Sequence, residues 1–220
     1  NQPKKIFNKE NPFVEYLANK KMSYSFNFDY KKNEINQLIN QSSIKDIAYQ
    51  SKRLEKLGNL RFKIIQDKNG IKYNLKFLIF HKSLQYKNTG TKNIFKDKSN
   101  IKFFIKTNLF LNQYLHSSGL YLNEELIAAH IGYKFKKRFY YMFPAYHDKF
   151  KKYSPGKILL YKLINDMRVN KFEKFDYTIG SEFYKHEWSN DSEEIYIYLK
   201  NVNFLGLFFL FRLKLFFLAK

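Results

Sequence analysis

The sequence predicts a protein of the α/β or α+β class, and three observations support this prediction. The chain has 220 residues, of which 45% are hydrophobic and 20% aromatic, so it can bury a sizeable core. Both helical and extended hydrophobic patterns occur along it. Their order is helices, then a hairpin, then a helix, then further strands, which is typical of helices packed on a sheet.

The first half of the chain has mainly helical patterns. Apolar residues recur at three- and four-residue steps over residues 31–57 and predict a helix that Gly58 ends. Residues 59–65 alternate and predict a strand, and the turn residues 67–70 follow it. Two more helices are predicted, over residues 71–90 and 100–119, each closed near a glycine.

The second half predicts a hairpin, a helix and then strands. Residues 120–135 and 138–146 are strand-rich, with tight turns at "NEE" and at "KKR". A helix follows from Ser154 to about residue 170, and residues 172–180 then form a strand. We expect the strands on either side of this helix to be neighbours, because sequential strands usually are.

The two ends of the chain are interpreted separately from its middle. Residues 1–30 are predicted to be a linker or the remnant of a preceding domain, and residues 31–200 the main domain. Residues 201–220 are predicted to form an apolar strand or amphipathic tail. Only about ten nearly continuous apolar residues precede Arg212, too few to span a bilayer, and a membrane-surface anchor is the alternative.

The formal net charge is +21, from 40 Lys and Arg against 19 Asp and Glu. This excess favours a polyanionic partner: nucleic acid, anionic lipid or a phosphorylated ligand. Nearly all the basic residues are lysines, however, and readers of nucleic acid usually need more arginine. Nucleic acid is therefore an open but less favoured partner, and peripheral membrane contact is a further option.

The chain contains no cysteine, which excludes disulfides, thiolate zinc sites and a cysteine nucleophile. This composition fits a reducing compartment, so a cytoplasmic location is expected, with a membrane-peripheral one as the alternative. Five histidines occur, without HxH or HxxxH spacing, and no metal site is expected. His147 is the histidine that we expect nearest to any chemistry, because it precedes the stretch discussed next.

Ser154, Pro155 and Gly156 stand together at the start of the fourth predicted helix. Serine favours the N-cap and proline the first helical position, so a capped amphipathic helix already explains them. Free N–H groups at a helix N-terminus can also bind phosphate, and a glycine lets the ligand approach closely. Four lysines surround the stretch: Lys149, Lys151, Lys152 and Lys157. A phosphate site is therefore the functional hypothesis.

The segment "FDYTIGSEFYKHEW" is the second candidate site. Asp176 lies inside an aromatic strand, where it either pairs with a lysine or a backbone N–H, or orients or deprotonates an acceptor. Glu182, Tyr184, Lys185 and Trp188 follow the end of that strand. Tyr184 could protonate a leaving group, although ordinary packing is equally open for one of 18 tyrosines.

These segments together resemble the GNAT-like acyltransferases associated with bacterial cellulose and exopolysaccharide biosynthesis. That family shows "G-x-x-A-A", "YYY-x-P-A-[FY]", "Y-S-P-G-x-[IL]-L" and "F-D-[FY]-x-x-G-x-x-x-Y-K-x-x-W". The corresponding stretches here are "LIAAHIGYKF", "YYMFPAY", "YSPGKILL" and "FDYTIGSEFYKHEW". The resemblance covers about residues 31–188, and Fem-type aminoacyl transferases are distant relatives of the same family.

The resemblance implies a mixed, largely antiparallel central sheet flanked by helices, with acetyl-CoA or another acyl-CoA as cosubstrate and no metal. It places the pyrophosphate on Lys152, Tyr153, Ser154, Pro155, Gly156 and Lys157. An amine would attack the thioester, with Asp176 or Glu182 near the acceptor and Tyr184 as the acid for the thiolate. Lys185 and Trp188 would bind the acceptor, and His147 would lie close by.

Three functions remain open at this point. The first is N-acylation of a small-molecule or glycan acceptor, namely an amino sugar, a nucleotide-sugar or a polysaccharide precursor. The second is Fem-type transfer from aminoacyl-tRNA, which would exploit the positive charge. The third is a non-enzymatic module that binds nucleic acid or an anionic membrane. The oligomeric state, the acyl chain length and the acceptor are not predicted.

Overall fold

The computed structural model describes residues 2–3, 16–31, 39–180 and 182–199. In chain order its elements are β1 (Gln2–Pro3), β2 (Tyr16–Asn27), α1 (Gln41–Glu55), β3 (Leu60–Ile65), α2 (Lys68–Asn88), α3 (Lys98–Phe110), β4 (Leu115–Leu122), β5 (Glu125–Phe135), β6 (Arg138–Tyr146), a 3-10 helix (Asp148–Tyr153), α4 (Pro155–Val169), β7 (Lys174–Ile179), α5 (Phe183–Glu187) and β8 (Asp191–Leu199). The predicted fold class is confirmed.

The chain divides into two compact units. The central unit is Phe26–Asp176, and the terminal unit is made of Asn1–Ser25 and Tyr177–Lys220. In the terminal unit β8 pairs antiparallel with both β1 and β2. β2 falls largely within residues 1–30, which were interpreted as a linker or remnant. Residues 201–220, predicted as an apolar tail, lie outside the described residues.

The sheet of the central unit is mixed. Strands β3, β4, β5 and β6 pair antiparallel in chain order. The beginning of β7 pairs parallel with the beginning of β6, through Arg138–Lys174, Phe139–Phe175 and Tyr140–Asp176. The expectation that the strands before and after α4 are neighbours is therefore confirmed. β6 continues six residues beyond the last of these pairs, to Tyr146.

Helices cover both faces of this sheet. Leu75 and Leu78 of α2 and Phe104 of α3 pack on one face in a dry cluster with Ala129 and Ile131 of β5. Side chains alternate along a strand, so His130, between those two residues, points to the opposite face. Buried residues of α4, among them Leu159, Leu160 and Leu163, cover that opposite face. The faces differ in polarity, as described below.

Several sequence predictions match the observed elements. The hairpin at "NEE", the turn before Arg138, α4 and β7 all lie where they were predicted. Helix α1 begins at Gln41; the earlier part of the predicted helix, residues 32–38, lies outside the described residues.

Two predictions in the first half of the central unit are wrong. Residues 67–70 do not form a turn, because Asp67 caps α2 by accepting from the N–H of Gly70, so the helix begins there. The helix predicted over residues 100–119 ends at Phe110, and β4 begins at Leu115. Residues 115–120 are all buried, so this strand shows no polar alternation that would separate it from a helix.

In the part of the chain that the structure describes, no helix is both long enough and apolar enough to cross a bilayer.

Candidate functional site

The turn between β6 and α4 is the centre of the candidate site. β6 ends at Tyr146, and the chain then makes a short 3-10 helix that the sequence did not indicate. His147 caps this helix, since its Nδ1 accepts from the N–H of Lys149 at 3.2 Å. Ser154 then takes a left-handed conformation with φ 50°, which turns the chain sharply into α4.

Ser154 does stand at the N-cap of α4 and Pro155 at its first turn, as predicted, but the capping bond differs. The Ser154 side chain makes no capping hydrogen bond. Its carbonyl oxygen instead accepts from the N–H groups of Lys157 at 3.0 Å and Ile158 at 3.2 Å. Pro155 has no N–H. Among the described residues nothing accepts from the N–H of Gly156, which therefore is the donor left for a ligand in this first turn.

Gly156 lies against an aromatic ring. A Cβ at this position would sit 3.3 Å from Cδ1 of Tyr146, closer than most side-chain contacts. The missing side chain leaves room for the Tyr146 ring, and the N–H of Gly156 has no acceptor among the described residues. Close approach of a ligand to the helix terminus at Gly156 stays a prediction.

Cationic side chains surround the turn, and one of them was missed from sequence. Lys151, Lys152 and Lys157 are exposed. Nζ of Lys152 lies 5.1 Å from the ring centroid of Tyr153, and Cζ of Arg53 on α1 lies 4.9 Å from the same centroid. Tyr153 thus places a guanidinium and an ammonium beside the turn. Arg53 is about 100 residues away in sequence. The only sequence signal that could have pointed to it is that arginine is rare in this lysine-rich chain.

His147 contacts a second, buried histidine. Its ring centroid lies 4.7 Å from that of His81 on α2. Burial, and then the charge of His147, lower the pKa of His81 to about 4. His81 is therefore neutral near pH 7, and it packs between aromatic rings rather than serving the turn directly.

Asp176 is buried at the paired end of β7. Its Oδ2 lies 3.1 Å from Nε of Arg138 on β6, so this ion pair is made by an arginine and not by the lysine that was expected. Parallel pairing of Tyr140 with Asp176 fixes this arrangement. A role of this carboxylate on an acceptor stays a prediction.

A β-bulge interrupts β6 near the turn. The register shifts by one between Ile131–Phe143 and Gly132–Tyr141, which leaves Met142 as the extra residue of β6. Bulges bend a strand and re-aim its backbone groups, and they are frequent beside active sites. Met142 is partly exposed.

The other predicted residues lie in the terminal unit. Lys185 is buried; its Nζ donates to the carbonyl of Ile179 at 2.9 Å and lies 3.0 Å from Oε2 of Glu182. Burial and the charge of Glu182 raise the pKa of Tyr184, so this hydroxyl stays protonated at neutral pH. Trp188 is buried, and its carbonyl accepts from the Tyr177 hydroxyl at 2.8 Å. The catalytic and acceptor-binding roles of these residues remain predictions.

A polar cluster lies beneath α4 and was also missed. His116 on β4 and His130 on β5 are buried, with ring centroids 6.2 Å apart. Nε2 of His116 lies 4.0 Å from Oδ2 of Asp166 on α4. Burial lowers the pKa of His116 to about 3 and holds that of His130 well below its ordinary value. Among the described residues, no group of three or more such side chains is placed so that it could hold a metal ion.

Comparison with known proteins identifies relatives of the fold. A family model described as an acetyltransferase (GNAT) domain matches residues 41–186. No curated protein is significantly similar in sequence.

Three solved structures resemble the chain. FemX superposes with a TM-score of 0.59 and 12% identity over 81% of this chain and 61% of its own. A conserved protein of unknown function from Bacteroides thetaiotaomicron gives 0.60 and 12%, over 88% and 64%. The C-terminal domain of a protein named as a lysylphosphatidylglycerol synthetase, from Agrobacterium fabrum, gives 0.54 and 12%, over 88% and 64%. The chain thus spans less than two thirds of each of these proteins.

Proposed function

Since the chain belongs to the family of acetyltransferase (GNAT) domains, we propose that it transfers an acyl group from an acyl-CoA to an amine. The observation that carries this proposal is the turn into α4. There the N–H of Gly156 has no acceptor among the described residues, and the exposed Lys152 and Lys157 and the guanidinium of Arg53 belong to the same turn or lie beside it. A pyrophosphate needs this combination of oriented donor and positive charge.

The turn into α4 would bind the acyl-CoA donor by the phosphates of the CoA. The N–H of Gly156 and the positive end of α4 would bind one phosphate oxygen, and Arg53, Lys152 and Lys157 would neutralise the charge. The stacking of Arg53 on Tyr153 limits the conformations of its guanidinium, so less entropy is lost on binding. Holding the donor in this way supplies orientation, which accounts for much of the rate acceleration in group transfer.

The bound acyl thioester supplies an activated carbonyl, and the chain's residues would act on protons and charge around it. A carboxylate, Asp176 or Glu182, would accept the proton that the amine must lose. The protonated hydroxyl of Tyr184 would return a proton to the thiolate sulfur, a role that its raised pKa supports. A backbone N–H at the bulge of β6, around Met142, would stabilise charge on the carbonyl oxygen.

The acceptor is proposed as an amine on a sugar, a nucleotide-sugar or a polysaccharide precursor. In this proposal the acceptor first contacts exposed residues at the end of the sheet. The buried Lys185 does not make this first contact, because its Nζ is already bonded within the chain. Trp188 is also buried, so its contribution would be to support that surface.

A second donor is favoured by one observation, the net charge of +21. An aminoacyl-tRNA would use such a charge along its phosphate backbone, and the fold shared with FemX is compatible with this donor. The two donors differ in what they should do to the purified protein, so a direct experiment can separate them.

The experiment combines mass spectrometry of co-purified ligand with thermal unfolding in the presence of each donor. We expect a bound CoA species, and a Tm that rises with acetyl-CoA concentration, because a ligand that binds the folded state stabilises it. Stabilisation by tRNA with a steep salt dependence, and none by acetyl-CoA, would contradict the acyl-CoA proposal and support the second donor.

The proton-transfer roles have their own test. Asp176→Asn and Tyr184→Phe should each lower kcat at least about 100-fold in an acyl-CoA turnover assay, in line with the usual contribution of a general acid or base. Full turnover in both variants would contradict these proton-transfer roles but would leave the proposal of an acyl-CoA donor site untouched. Thermal unfolding of each variant checks that the loss is not one of folding.

A further inference from the structure

Helix α3 carries two aromatic side chains on its outer face. Phe103 is 72% exposed and Phe110 is 84% exposed, whereas Phe104 and Asn108 of the same helix are buried against the sheet. Seven residues separate the two phenylalanines, so they lie on one face, about 10 Å apart along the axis. Exposing two large apolar side chains side by side costs the folded protein solubility without any gain in packing.

Lysines flank these rings on the same face. Lys102 and Lys106 are exposed and lie one turn apart, on one side of the stripe formed by Phe103 and Phe110. The sequence contains no Asp or Glu from residue 98 to residue 123 or from residue 126 to residue 147. The outer face of α3 is therefore purely cationic as well as aromatic.

A second exposed aromatic pair lies beyond the helix. Tyr114, four residues after the end of α3 and just before β4, packs edge-on against Phe135, with ring centroids 5.9 Å apart. Phe135 is half-exposed, and Nζ of Lys136 lies 5.6 Å from its centroid. Lys136 and Lys137 form the exposed turn between β5 and β6. We call Phe103, Phe110, Tyr114 and Phe135, with Lys102, Lys106, Lys136 and Lys137, the aromatic–lysine surface.

We propose that the aromatic–lysine surface docks the protein on an anionic membrane, with the phenylalanines entering the headgroup region and the lysines contacting lipid phosphates. Charge complementarity selects this occupant: a cationic face that also exposes phenyl rings fits a surface that is anionic outside and apolar beneath. The apolar stems of the lysines can lie along the rings while their ammonium groups reach the phosphates. This role is independent of the acyl donor.

The test measures co-sedimentation of the full chain with vesicles. Vesicles of phosphatidylcholine alone are compared with vesicles that also contain phosphatidylglycerol. We expect binding to the anionic vesicles, and at least about 10-fold weaker binding in Phe103→Ser/Phe110→Ser, since each ring buries apolar surface on insertion. Both residues are exposed, so these changes leave the fold intact.

The control for the aromatic change is Tyr49→Ser. Tyr49 is 61% exposed, but it lies on α1, on the other side of the sheet from α3. Its replacement should leave vesicle binding within about twofold of wild type.

A charge-reversal pair tests the lysines. Lys102→Glu/Lys106→Glu should weaken binding to anionic vesicles about 25-fold and lower its salt dependence, since each lysine near the surface contributes about fivefold. Lys45→Glu/Lys52→Glu makes the same change in net charge on the exposed side of α1 and is the matched control. It should have a smaller effect, because those lysines do not face the lipid.

Several outcomes would overturn the proposal. Failure of the wild type to bind either vesicle would overturn it. Equal binding by all variants would also overturn it, because any membrane contact would then lie elsewhere in the chain. If the two double lysine variants lost vesicle affinity equally, the effect would come from net charge and not from the position of the lysines. If the variants lost affinity for a tRNA probe but kept vesicle binding, the surface would be assigned to RNA. If they lost self-association in sedimentation velocity but kept vesicle binding, it would be assigned to a second copy of the chain.

Discussion

The two faces of the central sheet are built from different kinds of residue. Beneath α2 and α3, Leu75, Leu78 and Ile131 form a dry core with aromatic neighbours. Beneath α4, the sheet presents His116 and His130, whose ring nitrogens have no hydrogen-bond partner among the described residues. One face is thus mainly apolar, with Asn74, His81 and Asn108 as buried polar side chains of its helices, and the other buries two imidazoles of the sheet.

The difference follows the position of the candidate site. α4 begins at the turn that carries Gly156, and the histidines lie under the same helix. The α2 face is built mainly for packing, whereas the α4 face also supports the turn proposed to bind phosphate. We therefore expect stability on the first face to depend mainly on volume, apart from the buried His81, and stability on the second to depend on pH.

The largest expected effect is on the apolar face. Leu75→Ala removes a fully buried side chain and should lower the free energy of unfolding by about 3 kcal/mol, since it leaves a cavity. Urea denaturation measures this value. Leu84→Ala, on an exposed position of the same helix, should cost less than about 0.5 kcal/mol. Similar losses in the two variants would show that α2 is not packed as described.

An intermediate effect is expected at Asn74, a buried polar residue of α2. Asn74 is buried, and its Nδ2 donates to Ser117 Oγ at 2.9 Å and to the carbonyl of Ser118 at 3.1 Å. Asn74→Ala should cost about 2 kcal/mol, because it removes both bonds and leaves their acceptors buried. Since no titrating group is lost, the cost should be equal at pH 5 and pH 8. If the loss of unfolding free energy in Asn74→Ala varied with pH, the proposed difference between the two faces would be wrong.

The smallest effect, taken per unit of pH, is a pH dependence on the α4 face. Burial lowers the folded-state pKa of His116 to about 3, below the ordinary value near 6.5. As pH falls below about 6.5 the unfolded chain takes up the proton and the folded chain does not, so stability is lost. The slope is about 1.4 kcal/mol per pH unit for this imidazole.

His116→Leu should remove that slope between pH 6 and pH 4 and leave the slope above pH 7 unchanged. Urea denaturation at several pH values measures both. An unchanged acid slope in the variant would mean that His116 is charged or exposed in the folded protein, against the burial described.

The sequence could predict those parts of the molecule that depend on local pattern. Pro155 with Ser154 marked the start of α4, and the tight-turn residues "NEE" marked the hairpin. β4 was misread as helix because both of its faces are buried, so no period remains in its sequence.

The site was predictable only where it is contiguous. The turn from Lys152 to Lys157 is one segment, and its residues are found together. Arg53 could not be predicted, because its approach to Tyr153 depends on how α1 packs beside the 3-10 helix. Likewise, the burial of Lys185 is a tertiary property, since lysine in a polar segment is normally exposed.

The most direct test of the phosphate site at the turn into α4 is a calorimetric titration of CoA into wild type, Arg53→Met and Arg61→Met. Arg61 lies on the edge strand β3, where it pairs with Glu124. We expect wild type to bind CoA, Arg53→Met to bind about 10-fold more weakly, and Arg61→Met to bind as wild type does. No binding by wild type, or equal weakening in both variants, would contradict a phosphate site at this turn.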